Sequence, residues 1–302
     1  MEAILLYSVF FELVARHAAT IPVSMGHLVH ALILNLVKQV DPALSARLHD
    51  EPGYRPYTVS PLSGGTRTGE RITLQRDQHC RIRLTLLDGG TLWQNLSAYF
   101  LEAGQVYVRL GSCLLQLARI VSSPQADPSG WVSATEWQTL FRLPARQSIT
   151  VRFVTPTAYS WGDRRFNLFP EPYLLWEGLM HAWNRYAPVC YRFERQGVRA
   201  SLLSAVAVTK CSLHTSTLYY PNYTQKGFVG TCSYRIPLSS DVAGLISTLA
   251  AFGFYAGVGY KTTMGMGQVR VAFDDQINDV VPLDGTEPGA EGDTYIISAL
   301  EK

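Results

Sequence analysis

The order of strand-like and helix-like segments constrains this fold more than any other sequence feature. Apolar residues that alternate along the chain are typical of half-buried strands, whereas apolar residues three or four positions apart indicate a helix face. These patterns predict strands over 3–13, 57–62, 70–75, 80–86 and 106–120, and helices over 25–40, 42–48 and 92–103. The 70–75 and 80–86 strands are expected to pair as a hairpin, with Ser24 capping the first long helix. The order approximates β-α-β-β-α-β, the ferredoxin-like plan.

The same order of elements recurs in the second half of the chain. The predicted strands are 148–155, 205–219, 227–236 and 268–273, and the predicted helices are 172–186 and 241–254. Tyr173, Trp176 and Trp183 are expected to form an aromatic helix face, and Asp241 lies near the last N-cap. A length of 302 residues suits two domains. We therefore predict an α+β protein with two tandem ferredoxin-like domains, 1–125 and 126–275, similar in plan to RNA-recognition modules, and a partly flexible acidic tail, 276–302.

Glycines are concentrated between the last predicted helix and the last predicted strand, where residues 254–271 read FYAGVGYKTTMGMGQVRV. Glycine lets another backbone approach closely, and a loop that exposes N–H groups suits a phosphate. The spacing matches neither a P-loop nor a dinucleotide fingerprint. The loop therefore predicts a nucleic-acid backbone or a nucleotide as ligand, with a plain tight turn as the alternative. Its candidate binding residues are Gly257, Gly259, Lys261, Thr262, Gly265 and Gly267.

Composition excludes several classes of protein. The net charge of +2 is too small for a uniformly basic surface, although 21 of the 26 basic residues are arginine. Arginine suits phosphate and RNA, but genomic composition explains the bias equally well. The five cysteines lack CxxC spacing, which argues against a zinc site, and their odd number favours a reducing cytosol. We predict no bound metal and no transmembrane helix.

Several segments in a fixed order resemble one family. The GVGYKTTMGMG loop resembles the glycine-rich loop of the repeat-associated (RAMP) superfamily. Five earlier segments make the resemblance specific to one family within this superfamily: RLHD at 47–50, YTVSPL at 57–62, TPTA at 155–158, FPEP at 169–172 and GFVG at 227–230. Together they are similar to the CRISPR-associated endoribonucleases that cut precursor CRISPR RNA within its repeats.

The resemblance implies a cytoplasmic, metal-independent RNA cut with no cofactor. The ribose 2′-OH attacks the neighbouring phosphate, which leaves a 2′,3′-cyclic phosphate and a 5′-OH. Such a reaction needs a base, an acid and cations near the phosphorane. The implied partners are CRISPR repeat RNA, its crRNA product and subunits of a CRISPR effector complex. A homodimer is also compatible with the family.

Histidines are the candidate acid and base because their pKa lies near neutrality. The resemblance places the catalytic histidine at His49, followed by a loop with Tyr54 and Arg55. Arg55 stands where relatives often have lysine. Relatives often carry a tyrosine in the first helix, where this chain has Leu34, so Tyr54 or Tyr57 is expected to substitute. The alternative for His49 is a histidine that interacts with helix C-terminal carbonyls.

Two further histidines, His27 and His30, lie one turn apart on the first predicted helix. They are catalytic candidates or ordinary helix histidines. Two arginine pairs are candidates for RNA binding: Arg81 with Arg83, and Arg164 with Arg165. For each pair, an exposed polar face without a ligand is an equally good interpretation. Trp161 is a candidate for base stacking, although tryptophan is more often part of a core.

Two other functions compete with the endoribonuclease. A catalytically inactive crRNA-binding scaffold subunit of an effector complex would share the fold, but it would have no use for a general base at His49. An enzyme that acts on a nucleotide would explain the glycine-rich loop, but the chain lacks the Asp-rich metal site and the motif spacing that such enzymes need.

Overall fold

A computed structural model describes residues 5–50, 55–88, 91–163, 165–220, 222–274 and 295–296. The chain forms two compact units. The first unit comprises Met1–Thr135, Tyr219–Tyr223 and Thr263–Gly265, and the second comprises Glu136–Leu218, Thr224–Thr262 and Met266–Lys302. Of the acidic tail predicted at 276–302, only the two residues of a short strand lie within the described part.

The first unit is built on an antiparallel sheet with helices packed against it. Its elements are β1 (Leu5–Ala15), β2 (Ala19–Pro22), α1 (Gly26–Val40), α2 (Pro42–Asp50), β3 (Tyr57–Val59), β4 (Thr66–Thr68), β5 (Arg71–Leu74), β6 (His79–Leu86), α3 (Thr91–Glu102), β7 (Tyr107–Leu110), β8 (Cys113–Val121) and β9 (Ser133–Glu136). The main sheet has the order β3-β6-β1-β8-β7, and β9 also pairs with β1. The order β3-β6-β1-β8, with α1 and α3 between strands, is ferredoxin-like and confirms the predicted fold.

The core of this unit forms where α1 meets the sheet. Apolar residues of α1 recur at helical spacing, so they make one continuous stripe that is buried. The stripe consists of Val29, Leu32, Ile33, Leu36 and Val37. It belongs to the same buried cluster as Phe11 of β1 and Leu84 of β6. Burial of this stripe fixes which side of α1 remains for other contacts.

Three local predictions for the first unit are wrong. The 70–75 and 80–86 strands do not pair with each other: β5 lies between β2 and β4 in a separate small sheet, and β6 lies between β1 and β3. Both edges of β6 are therefore occupied. The single strand predicted over 106–120 is a hairpin of β7 and β8, because Gly111 turns the chain with a positive φ of 61°. Ser24 does not cap α1; its hydroxyl accepts a hydrogen bond from the Tyr219 N–H at 2.8 Å.

The second unit repeats the plan. Its elements are α4 (Trp137–Phe141), β10 (Ser148–Thr157), β11 (Tyr159–Ser160), β12 (Phe166–Asn167), α5 (Pro172–Tyr186), α6 (Val198–Ala205), β13 (Ala207–Tyr220), β14 (Tyr223–Arg235), α7 (Ala243–Ala256), β15 (Val269–Phe273) and β16 (Tyr295–Ile296). The sheet order is β15-β10-β14-β13-β16. The first four strands in this order, with α5 and α7 as crossovers, are again ferredoxin-like.

Aromatic side chains dominate the core of the second unit. Trp176 and Trp183 of α5 are fully buried, as the aromatic face predicted, and Trp183 meets Phe252 of α7 edge to face at 5.2 Å. Asp241 lies next to the N-cap of α7, as predicted: the N-cap residue is Val242, and it has no side-chain cap. The Asp241 carboxylate accepts a hydrogen bond from the Ser201 hydroxyl at 3.0 Å. In the described part of the chain, every helix is too short or too polar to span a membrane.

The glycine-rich segment, residues 257–267, connects α7 to β15 by close backbone packing. The Val258 N–H donates to the Gly267 carbonyl at 2.8 Å, and the Gly267 N–H donates to the Pro156 carbonyl at 3.1 Å. Gly267 has a φ of +70°, and a Cβ there would lie 2.0 Å from the Val258 oxygen. No larger residue fits this position without moving the backbone, so the fold itself requires glycine here.

The first prediction concerns the stability of this segment. Gly267→Ala should destabilise the protein by at least about 2 kcal/mol, because left-handed backbone costs an L-residue about 1–2 kcal/mol and the new methyl group also overlaps a carbonyl. Gly178→Ala is the matched control, since a Cβ at this α5 glycine meets nothing within 4 Å. The control should gain about 0.5–1 kcal/mol from helix propensity. Urea unfolding of both variants measures the difference, and equal midpoints would contradict the packing.

Candidate functional site

A histidine and a tyrosine form the best-defined polar pair of the first unit. The Tyr57 hydroxyl lies 3.0 Å from Nδ1 of His30, and the two rings are nearly parallel, 15° apart. Tyr57 is fully buried on β3, whereas His30 is half-buried on α1. Their contact holds the imidazole in one orientation. A histidine oriented through one ring nitrogen by a fixed partner is the usual arrangement of an acid–base group.

Electrostatics keep the phenol of this pair neutral. Burial raises the pKa of Tyr57 far above its usual value, and the nearby positive charge of Arg55 lowers the pKa only in part. The hydroxyl therefore stays protonated at physiological pH and remains able to donate a hydrogen bond. Arg55, half-buried just before β3, brings a permanent positive charge to the same place.

The structure places some of the catalytic residues predicted from the sequence near this pair and leaves others undescribed. Tyr57, expected as one of two substitutes for the helix tyrosine of relatives, contacts His30, and Tyr54 lies outside the described residues. Leu34 of α1 is half-buried and packs against the apolar core. His49 lies in the last turn of α2, and its side chain is outside the described part, so its catalytic role stays a prediction.

His27, in the first turn of α1, has a different environment. Its Nδ1 atom is buried and has no hydrogen-bond partner among the described residues. Its ring meets Tyr220 edge to face at 5.6 Å. Tyr220 also stacks on Tyr223 at 4.7 Å, and the Tyr219 N–H is held by Ser24. The segment Tyr219–Tyr223 therefore contacts the start of α1. Sequence reasoning missed this contact, for which the only signal was three tyrosines within five residues.

The tip of the glycine-rich segment, Thr263–Gly265, belongs to the first unit and approaches the start of the same helix. A Cβ built on Gly26 would lie 1.8 Å from the carbonyl oxygen of Met264. A Cβ on Gly265 would lie 3.0 Å from the ring of Pro61, shortly after β3. The start of α1 thus packs backbone to backbone against the glycine-rich tip, and the tip also contacts Pro61 just after β3. His27 and His30 both lie on the helix that this packing positions.

The glycine-rich segment uses much of its own backbone for hydrogen bonds. Besides the bonds of Val258 and Gly267, the Tyr260 N–H donates to the Ala158 carbonyl at 2.8 Å, and the Met266 N–H donates to the Lys261 carbonyl at 3.3 Å. The expectation of a row of exposed N–H groups is therefore wrong at these positions. If the segment binds RNA, its side chains, such as that of Lys261, carry more of the contact.

The two predicted arginines of β6 have unequal surroundings. Arg83 is 1% exposed, its Nε donates to the Ser8 hydroxyl at 2.8 Å, and its guanidinium lies 4.7 Å from the Trp131 ring centre. The assignment of Arg83 to RNA contact is corrected: the guanidinium is enclosed and stabilises the sheet. Arg81 is half-buried, with its guanidinium 4.3 Å from the Phe10 ring centre.

A turn anchored by one carboxylate covers Arg83. Asp127 accepts hydrogen bonds from the backbone N–H groups of Trp131 at 2.7 Å and Val132 at 2.8 Å, and from Ser129. Burial raises the pKa of Asp127, but these hydrogen bonds outweigh burial and lower the pKa below its usual value. The carboxylate is therefore ionised at neutral pH, and it holds Trp131 in place over the arginine.

Of the second predicted arginine pair, the structure describes only Arg165, at the β11–β12 hairpin. Arg165 is exposed and has a loose ion pair with Asp163, at 3.8 Å. Arg164 lies outside the described residues. Among the residues that the structure describes, no three His, Cys, Asp or Glu side chains are grouped as metal ligands would be.

Comparisons with protein families cover most of the chain. The model of the CRISPR Cas6 N-terminal domain matches residues 5–142, and the model of the CRISPR-associated endoribonuclease Cas6 matches residues 151–269. A Cas6 endoribonuclease of Mycobacterium tuberculosis is 28% identical over 137 residues, which are 43% of this chain and 41% of that protein. The match thus spans less than half of that relative.

Two other relatives are matched over most of their length. The Cas6 endoribonuclease of Streptococcus thermophilus is 25% identical over 240 residues, which are 78% of this chain and 88% of that protein. A solved structure, a Cas6 product complex, has a TM-score of 0.74 at 27% identity. That likeness covers 89% of this chain and 100% of the solved chain.

The second prediction separates a structural arginine from an accessible one on the same strand. Arg83→Ala should destabilise the protein by about 2–4 kcal/mol, because it removes an enclosed side chain and its contact with Trp131. Arg81→Ala is the matched control and should cost about 1 kcal/mol or less, the value of a partly exposed cation–π contact. Urea unfolding measures both values. Equal losses for the two variants would contradict the structural assignment of Arg83.

Proposed function

The chain belongs to the family of CRISPR-associated endoribonucleases Cas6, and from this premise we propose that it cuts CRISPR repeat RNA in precursor crRNA to give guide RNAs. Two family models, at 5–142 and 151–269, support the proposal along most of the chain. The observation that carries it is the pair formed by His30 and Tyr57, 3.0 Å apart, beside the cation of Arg55.

The proposed reaction is a transesterification within the RNA. A general base takes the proton of the ribose 2′-OH, and the 2′-oxygen forms a bond to the adjacent phosphorus. The bond from phosphorus to the 5′-oxygen breaks, and a general acid protonates that oxygen. The products are a 2′,3′-cyclic phosphate and a 5′-OH. The nucleophile belongs to the RNA, so the protein supplies only proton transfer, positioning and charge.

His30 and His49 are the proposed acid–base groups. His30 is oriented by Tyr57, and a fixed imidazole transfers a proton along one direction with little reorganisation. His49 follows from the family resemblance and lies on α2, directly after α1. Arg55 is the proposed counter-charge for the phosphorane, because its guanidinium remains protonated throughout and therefore stabilises negative charge without exchanging protons. We also propose His27 and Tyr54 as members of the same site.

The same proposal includes where the enzyme works and what receives its product. We place it in the cytoplasm, where its five free thiols would remain reduced. The crRNA product would pass to subunits of a CRISPR effector complex. A divalent ion has no part in the proposed steps, since Arg55 supplies the counter-charge.

The third prediction tests the reaction with purified protein, the repeat RNA of the organism's own CRISPR array, and excess EDTA. The wild-type protein should cut the RNA, and a 2′-deoxy substitution at the cut site should abolish cleavage. His30→Ala and His49→Ala should each lower the single-turnover rate by about 10²–10⁴-fold, the usual contribution of general acid–base catalysis. His181→Ala, an exposed histidine of α5, is the matched control and should cut at the wild-type rate.

Each other result has a definite meaning. Cleavage that requires magnesium would contradict the metal-independent step. Full activity in His30→Ala would remove the pair with Tyr57 from the mechanism, and full activity in His49→Ala would remove the residue that the resemblance selected. Tight binding of the repeat without any cut, with or without magnesium, would identify the protein as a crRNA-binding scaffold.

A further inference from the structure

One tryptophan of this chain is not used by either core. Trp161 is 54% exposed, whereas four others are at most 1% exposed: Trp131, Trp137, Trp176 and Trp183. It stands at the end of the short β11–β12 hairpin. A single exposed ring is common on protein surfaces, so it indicates a ligand only where the groups beside it fit the same ligand.

Two backbone hydrogen bonds join Trp161 and Gly162 to Arg165 across the end of the hairpin. The Trp161 N–H donates to the Arg165 carbonyl at 3.0 Å, and the Arg165 N–H donates to the Gly162 carbonyl at 2.9 Å. Gly162 allows this turn with a φ of +80°. Because the backbone on both sides is hydrogen-bonded, little conformational entropy is lost when a planar ligand stacks on the ring.

The same hairpin packs against the glycine-rich segment. Phe166 of β12 lies 5.4 Å from the ring of Tyr260, and Nζ of Lys261 lies 5.1 Å from the Tyr260 ring centre. Trp161 and Arg165 at the end of the hairpin are thus connected through Phe166 to Tyr260 and Lys261, all within the second unit. We call these five residues the stacking surface.

The chemistry of the stacking surface selects among ligands. Its apolar groups are flat rings rather than a broad aliphatic patch, and cations stand beside them. The ion pair of Arg165 with Asp163 is long and solvated, so it holds the guanidinium only weakly. Proteins bind single-stranded nucleic acid with aromatic rings that stack on the bases and with cations that contact the phosphates. Bases within an RNA duplex already stack on their neighbours, so the occupant must be unpaired.

We propose that the stacking surface binds an unpaired nucleotide of the repeat RNA, with its base on Trp161 and its phosphate near Arg165 or Lys261. This inference rests on the proposed function, because it takes the substrate to be that RNA. It adds a recognition site in the second unit, separate from the histidine pair of the first unit. Base stacking of this kind tolerates any base, so the site would select for an unpaired nucleotide rather than for a sequence.

The test is a double-mutant cycle between protein and RNA. The RNAs are full-length repeats with a 2′-deoxy nucleotide at the cut site, each carrying one abasic position among the unpaired nucleotides. For the wild-type protein, one abasic position should weaken binding by roughly 5- to 150-fold, the usual value of one stacked base. Trp161→Ala should weaken binding of the intact repeat to a similar degree and should be insensitive to that same abasic position.

Two further variants keep the result interpretable. Trp161→Phe retains a ring and should restore most of the affinity together with the sensitivity to the abasic position. Tyr107→Ala removes an exposed aromatic ring of β7 in the first unit and should bind every RNA as the wild-type protein does. Circular dichroism of each variant verifies that it is folded.

The outcomes also separate this inference from the proposed function. If the wild-type protein cuts the repeat but no abasic position couples to Trp161, the stacking surface is wrong and the endoribonuclease stands. If coupling is found but the 2′-hydroxyl RNA is never cut, the stacking surface stands and the endoribonuclease is wrong. An equal loss of affinity for Tyr107→Ala would also overturn the inference, because any exposed ring would then have the same effect.

Discussion

The arrangement of the candidate site depends on one close approach between two backbones. Gly26, the first residue of α1, leaves room for the carbonyl of Met264, and any side chain at position 26 would occupy that oxygen's place. The same tip rests on Pro61 through Gly265. The glycine-rich tip can therefore contact two segments that are distant from it in sequence. Because interiors are close-packed, a displacement of this tip would be transmitted to the first turns of α1, where His27 and His30 lie.

Arginine has two distinct roles in the first unit. On the β6 strand, Arg83 is enclosed between Ser8 and Trp131, and the carboxylate of Asp127 holds the covering turn through backbone hydrogen bonds. Near β3, Arg55 acts by its charge on the phenol of Tyr57. An excess of arginine in a sequence therefore does not measure RNA contact. Burial, which depends on the neighbours in space, decides whether a guanidinium is available to a phosphate.

Periodicity predicted most of the architecture, since each ferredoxin-like unit buries one stripe per helix and one face per sheet. Helix α5 matches its predicted range at both ends, 172–186, because Pro172 starts the helix and its apolar spacing is regular. Strand pairing was predicted less well. The chain between β5 and β6 is short enough for a hairpin, yet β6 pairs with β1 and β3. Pairing follows from competition among all strands for burial, which local sequence does not record.

The sequence by itself determined the α+β class, the doubled order of elements, the family and the list of histidines and arginines from which a site can be built. Alternation, glycine and short motifs are local properties, so they can be recognised without coordinates. Only the tertiary structure decided that Tyr57 is the partner of His30, that Arg83 is enclosed, and that Trp161 is exposed. These distinctions arise from long-range packing, in which the same residue type is buried or accessible according to neighbours that lie far away in the sequence.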